Sequence, residues 1–167
     1  TFDQAAAQPV YAASVQRMMQ AMQRRGPDDA GQWADPQGHI QLGFRRLAIL
    51  DLSPAANQPM HSPSGRSLIV FNGEIYNHLE LRQELESRGW RFFTHSDTEV
   101  LLAALETWGT AALSRLNGMF ALAGYDCLDQ RLLLARDHAG IKPLYYFIEP
   151  GGRGIAFGSQ YTHLLLT

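Results

Sequence analysis

The sequence predicts an α+β fold built on antiparallel sheets. Apolar residues fall at helical spacing in three places: Tyr11, Val15, Met18, Met19 and Met22; Leu81 and Leu85; and Val100, Leu101, Leu105 and Trp108. Short apolar runs separated by turn residues fill the chain beyond residue 118. This order, strands and helices at the front and mainly strands behind, suits antiparallel sheets that two helix layers could cover.

The elements follow in order. Pro9 opens the first expected helix. Its methionine stripe reads as core filler, with an adaptable binding groove as the alternative. Arg24-Arg25-Gly26-Pro27-Asp28-Asp29 ends it in a Gly-Pro turn. Strands are expected over 31–33 and 40–50, joined by a turn at Asp35-Pro36-Gln37-Gly38. Residues 53–65 hold three of the eight prolines and read as a loop. A strand over 67–71 is then broken by Asn72-Gly73, and a helix follows over 78–88. Ser96-Asp97-Thr98-Glu99 matches a capping box and marks a helix start at Ser96. A meander over 119–125, 131–136, 144–148 and 155–159 completes the chain, with turns over 126–130, 140–143 and 150–152.

At 167 residues and 46% hydrophobic, the chain is one domain with enough apolar surface for a core. Lys+Arg 14 against Asp+Glu 16, with no basic stripe, argues against nucleic acid as a partner. Apolar runs such as Leu132-Leu133-Leu134-Ala135 are too short to span a bilayer, and the first residues have no signal-peptide pattern. The lone Cys127 offers neither an internal disulfide nor a metal cluster, which fits a cytoplasmic protein. None of the six histidines pairs with another at metal spacing, so no metal is assigned. No phosphate-binding glycine motif and no nucleophile elbow occurs.

Three features could carry chemistry. Asn72-Gly73 follows a β-rich run and precedes a helix, and Glu74-Ile75-Tyr76-Asn77 is too short and polar for a convincing return strand. A strand ending in such a turn suits an oxyanion site, with the Asn side chain and the Gly N–H aimed at one developing negative oxygen. A plain turn is the alternative. Arg45-Arg46 lies in an apolar strand, so one of the two guanidinium groups faces the interior and needs an anion there. That anion is a structural partner such as Asp28 or Asp51, or a ligand carboxylate gripped by the planar fork. Asp97 and Glu74 offer carboxylates, either to a helix dipole and solvent or to a substrate ammonium. Together, an arginine, two acids and an Asn-Gly pair would suit an α-amino acid.

With these residues in view, the chain resembles the class II, N-terminal-nucleophile glutamine amidotransferase domain of glutamine-hydrolysing asparagine synthetases. Seven stretches carry the likeness in order: Arg25-Gly26-Pro27-Asp28; residues 42–49, Leu-Gly-Phe-Arg-Arg-Leu-Ala-Ile; Gln58-Pro59-Met60; residues 71–77, Phe-Asn-Gly-Glu-Ile-Tyr-Asn; Ser96-Asp97-Thr98-Glu99-Val100; Leu116-Asn117-Gly118-Met119-Phe120; and Ala135-Arg136-Asp137 with Gly140-Ile141-Lys142-Pro143-Leu144-Tyr145-Tyr146. The resemblance implies a four-layer αββα sandwich of two antiparallel sheets, the Ntn-hydrolase type, over residues 1–167. It implies that Arg46 holds the α-carboxylate of L-glutamine and that the main chain at Leu47 and Ile49 lines the pocket. Asn72 and Gly73 would form the oxyanion hole, and Glu74 and Asp97 would meet the α-amino group. Ammonia would pass to a C-terminal ATP-dependent synthetase domain, which alone would need ATP and magnesium; no cofactor is expected in this domain.

The sequence departs from the family at three points. Phe44 stands where the family usually has histidine, and Gln160 where it commonly has glutamate after the serine near the domain end. The family's N-terminal cysteine, whose α-amino group serves as base, is expected about seven residues before Thr1, since Phe2-Asp3 reads as the end of a truncated first strand. Thr1 would then sit some 20 Å along that strand from the pocket, at ~3.3 Å per residue, too far to replace it. Cys127 lies in a late turn and is not expected to replace it either. As it stands, the chain is expected to show no glutaminase turnover. The alternative to an enzyme domain is a non-catalytic amino-acid-binding or scaffolding domain. Oligomeric state and the synthetase's acceptor are not legible.

Overall fold

The computed structural model describes residues 4–46, 57–152 and 154–165. Thr1, Leu47, Ile49 and Asp51 lie outside the described residues.

Strands β1 (Asp29–Ala34) and β2 (Gln41–Arg46) form an antiparallel hairpin in which Asp29 lies opposite Arg46 and Trp33 opposite Leu42. Its turn is the one expected: Gly38 N–H donates to Asp35 C=O at 2.8 Å, and Gly38 takes φ 79°. The second sheet has the order β3-β4-β5-β6, formed by Met60–His61, Ser67–Ile75, Gly118–Asp126 and Arg131–Arg136. A further hairpin pairs β7 (Tyr145–Ile148) with β8 (Ile155–Gly158). The two hairpins are not joined to each other by strand pairing among the described residues, so the second β layer consists of two ribbons.

Helices cover both sides. On the outer side of the four-stranded sheet, α2 (His78–Ser87) and α3 (Asp97–Trp108) bury Leu81, Leu85, Val100 and Leu101 against Ile69, Phe71, Ile75, Phe120 and Leu122. Alternation of side chains sends Leu68, Val70 and Asn72 to the opposite face. There Leu68 and Tyr125 pack with Leu42 of the β1–β2 hairpin. Helix α1 (Gln4–Ala21) lies across the other face of β2. Gly43 permits this approach, because a Cβ there would stand 2.6 Å from Met19 Sδ and 2.7 Å from Val15 Cγ1. The short helix α4 (Tyr161–Leu164) packs on β7 and β8. The result is an α+β sandwich with helices outside and β structure inside.

Four expectations change. Helix α1 begins by Gln4, so Pro9 lies within it instead of opening it. Pro9 is the sixth residue of the described helix, past the four N–H groups that lack partners, so it removes one main-chain bond, yet the helix continues through it. Met60–His61 forms a strand inside the expected loop. A 3₁₀ segment, Gly109–Arg115, follows α3 unannounced. Finally, Asn72-Gly73-Glu74 is not a turn: β4 runs on to Ile75, paired with β5 in unbroken register. The partner strand, more than forty residues away, decides this.

Candidate functional site

The C-terminal half of β4 gives the site its geometry. Gly73 lies opposite Phe120 of β5. Phe120 turns both its main-chain groups away, its N–H donating to Asp137 Oδ2 at 3.0 Å and its carbonyl accepting from Asp137 N–H at 2.8 Å. Gly73 and Phe120 are therefore a non-hydrogen-bonded pair, and the Gly73 N–H points to the other edge of β4. Its neighbours on that edge are both engaged. Phe71 N–H donates to Gln58 Oε1 at 2.6 Å, and Ile75 N–H to Asp97 Oδ2 at 2.9 Å. The Gly73 N–H between them has no acceptor among the described residues.

Close packing explains the glycine. A Cβ at position 73 would stand 2.2 Å from Met119 O and 2.7 Å from Phe120 Cα. Asn72, on the opposite face of the strand, is exposed toward the space between the β layers.

Arg46 closes β2 on the inner face and is only 8% exposed. Its Nη1 donates to Asn57 Oδ1, and Asn57 Nδ2 donates to Asp29 Oδ2 at 2.5 Å. The Ala30 N–H, the Asn57 amide and the nearby Arg46 and Arg45 charges outweigh desolvation and hold the Asp29 carboxyl below its usual range. Among the described residues, Asn57 thus links the buried guanidinium to the Asp29 carboxylate; Asp51, one of the two expected partners, lies outside them. Asp28 N–H donates to Arg46 C=O at 3.1 Å. Arg45 alternates outward and donates from Nε to Gly26 C=O at 2.9 Å.

Asp97 opens α3 and is 5% exposed. Burial pushes its pKa above the ordinary aspartate value, opposed by the Ile75 N–H, His78 and the Thr98 N–H; the Glu74 charge pushes it further up. A buried carboxylate whose charge is this costly is a good partner for a cation. Ser96 caps the helix as expected, its Oγ accepting from Thr98 N–H at 3.1 Å. The reciprocal half of the capping box is absent. Glu99 instead accepts from Phe93 N–H, Thr94 N–H and Thr94 Oγ1, holding the loop before the helix.

Arg46, Asn72, Gly73 and Asp97 line one cavity of about 1260 Å³, together with Gln58, Ser96 and Thr98. The cavity extends between the two hairpins to Val15, Met18, Met19 and Met22 of α1. The methionine stripe thus divides: Met18 is buried, whereas Met19 and Met22 are half-buried along the cavity. Phe44 is half-buried in the same wall. Glu74 is half-buried and does not line the cavity; its reach toward the site is through its charge on Asp97. Leu47 and Ile49 lie outside the described residues.

Cys127 stands apart, after β5, its N–H donating to Arg66 C=O at 2.7 Å. Burial, then the Asp35 and Asp126 charges, push its thiol up, the opposite of an activated thiolate. No group of three His, Cys, Asp or Glu among the described residues could hold a metal ion, and no described helix is long and apolar enough to cross a membrane.

Sequence reasoning missed Asn57, Asp29 and the role of Gln58. Gln58 appears only as part of a motif, and its signal, one carboxamide in a proline-rich stretch, is faint without the partners that the fold brings to it.

Comparison with known proteins identifies the family and agrees with the fold. Residues 3–167 match the family model described as glutamine amidotransferase domain. A protein named putative asparagine synthetase [glutamine-hydrolyzing] from Mycobacterium tuberculosis (strain ATCC 25618 / H37Rv) is 43% identical over 162 residues, 92% of this chain and 24% of that protein. Asparagine synthetase [glutamine-hydrolyzing] 1 of Bacillus subtilis (strain 168) is 47% identical over 132 residues, 79% of this chain and 20% of its own length. The chain spans about a quarter or less of the curated relatives it matches. Among solved structures, a glutamine phosphoribosylpyrophosphate amidotransferase from B. subtilis superposes with a TM-score of 0.72 at 20% identity, covering 93% of this chain and 41% of that one. At that identity the likeness speaks for the fold.

Proposed function

Because this chain belongs to the glutamine amidotransferase domain family, we propose that it binds L-glutamine at the β4 end of the cavity and that the side-chain amide is hydrolysed there in the complete protein, with water as co-reactant. The products are glutamate and ammonia. A nucleophile of the complete protein forms a bond to the amide carbon and turns its C=O into a C–O⁻. Collapse of the tetrahedral adduct then breaks the C–N bond, and the nitrogen leaves with a proton as ammonia. After ammonia has left, water cleaves the resulting acyl adduct, giving glutamate and the free nucleophile. The observation that carries this reading is the Gly73 N–H, left between two engaged neighbours and backed by the Asn72 carboxamide on the same strand. An oxyanion needs donors oriented before its charge develops; the Gly73 N–H is held so by the strand, and the Asn72 carboxamide beside it is the second donor of this reading.

The other roles follow from charge. Arg46 takes the α-carboxylate, exchanging its contact with Asn57 for a two-point grip. Asp97 takes the α-ammonium, which relieves the cost of its own burial. Glu74 adds negative charge at that end, and the main chain at Leu47 and Ile49 completes the pocket. The nucleophile is not Cys127. In the complete protein the ammonia would serve a synthetase domain using ATP and magnesium, while the hydrolysis itself draws on no cofactor within this domain.

Calorimetric titration with L-glutamine and L-glutamate tests the binding half. We expect saturable binding by the chain, lost in Arg46→Ala and weakened in Asp97→Asn. Equal affinity of wild type and Arg46→Ala would overturn the assignment. Steady-state ammonia release by the complete protein tests the chemistry. Asn72→Ala is expected to lower kcat by about 10²–10³ with little change in KM, the loss typical of one oxyanion donor.

A further inference from the structure

We propose that Gln58 is a positioning residue for the oxyanion site, an inference that rests on the glutamine-hydrolysis reading above. Gln58 is 8% exposed, in the stretch leading into β3. Its carboxamide is used at both ends. Oε1 accepts from Phe71 N–H at 2.6 Å, and Nε2 donates to Thr98 Oγ1 at 3.4 Å. Gln58 therefore ties the open edge of β4 to the first turn of α3, the turn that carries Asp97.

The alternation of β4 gives this tie its consequence. Phe71, Gly73 and Ile75 all direct N–H groups to one edge, and in a paired strand such donors are interchangeable in kind. Gln58 occupies the first and Asp97 the third. The Gly73 N–H is left as the donor open to the cavity, and the strand on either side of it is held by a fixed acceptor. An oxyanion hole works only if its donors stand within hydrogen-bond distance before charge appears. Without Gln58, the Phe71 N–H becomes a second open donor two residues away. The segment carrying Asn72 and Gly73 also loses one of its two side-chain tethers on that edge. A carboxamide suits the task because it accepts from one neighbour and donates to the other without bringing charge to a site that must accommodate a negative oxygen.

The test compares wild type, Gln58→Ala and Gln58→Glu in the complete protein, by glutaminase kinetics across pH 5.5–8.5 and by thermal unfolding. We expect Gln58→Ala to lower kcat about 10- to 100-fold with KM within about twofold, because the interaction is felt in the transition state. Gln58→Glu keeps the size and the acceptor but puts a negative charge on the same strand edge, about 7 Å from the Gly73 N–H. Its kcat relative to wild type is expected to be low at pH 8.5 and to climb as pH falls and the glutamic acid becomes neutral. A residue that only supports folding would give a ratio independent of pH. If Gln58→Ala is unfolded at the assay temperature, the Gln58→Glu ratio decides alone. A flat ratio, a rise in KM without loss of kcat, or wild-type kcat in both variants overturns the proposal. Wild-type protein that turns over glutamine but ignores both substitutions removes only the role of Gln58. Wild-type protein with no glutaminase activity removes the reading beneath it as well.

Discussion

Gly73→Ala is the substitution whose outcome the structure constrains most tightly. The new methyl carbon would start 2.2 Å from Met119 O, 2.7 Å from Phe120 Cα and 2.9 Å from Phe120 Cβ. Two of the three obstacles are main-chain atoms, so no rotamer change relieves them. Reaching ordinary contact, about 3.5 Å, requires β4 and β5 to part by roughly 1 Å at this point. The strands resist, because Tyr76 N–H donates to Asn117 C=O at 2.7 Å just beyond and the register continues unbroken before it. Overpacking of this kind costs about 1–3 kcal/mol. The same displacement moves the Gly73 N–H by about a third of a hydrogen-bond length, enough to forfeit most of its interaction with an oxyanion. We expect a lower melting temperature and, at temperatures where the variant is folded, a kcat reduced by about 10²–10³ with modest change in KM. Thermal unfolding and ammonia-release kinetics measure the two effects separately. A Gly73→Ala protein with wild-type kcat would refute both the close packing and the donor role derived from it.

Further expectations concern the charged groups. Asp97→Asn should keep the acceptor for Ile75 N–H while removing a buried charge, so stability at neutral pH should hold or rise as the dissociation constant for glutamine grows by at least about tenfold. Chemical denaturation and calorimetry read the two together. Since the folded pKa of Asp97 is raised, its contribution to stability is fully present below the ordinary value of 3.8 and lost as pH rises through the higher folded value. Asp137 behaves oppositely. Burial would raise its pKa, but N–H groups of Lys142, Ile141, Phe120 and Gly140 lower it to about 2. Its stabilisation is therefore present above pH 3.8 and lost as pH falls through about 2, and urea unfolding of Asp137→Ala between these values should show a flatter acid limb. Arg46→Lys should weaken glutamine binding about tenfold or more, because a point charge cannot reproduce the planar two-point grip; unchanged calorimetric affinity would count against that role. Ser96→Ala should cost about 1 kcal/mol in denaturant unfolding through loss of the Thr98 cap.

Features legible in the sequence were those that local chemistry decides. Ser96 caps its helix because the hydroxyl and the Thr98 N–H are two residues apart. The strand Arg131–Arg136 and the turn at Gly38 likewise depend on residues within reach of one another. The buried arginine followed from alternation alone, and Arg46 is the one that faces inward. The bridge from that arginine through Asn57 to Asp29 did not follow, since it joins three residues well separated in the sequence. Asn72-Gly73 reads locally as a turn, yet pairing with β5 holds it extended, and the glycine is needed for close approach and not for a left-handed conformation. Pro9 misled in the same way, because a helix signal at one residue cannot show how far the helix extends ahead of it.

The most direct measurement is a crystal structure of the protein with L-glutamate bound. We expect the α-carboxylate on the Arg46 guanidinium, the α-ammonium at Asp97, and one γ-carboxylate oxygen within hydrogen-bond distance of both Asn72 Nδ2 and the Gly73 N–H. Glutamate seated elsewhere in the cavity, with Arg46 still held by Asn57 and the Gly73 N–H facing no ligand atom, would contradict that expectation.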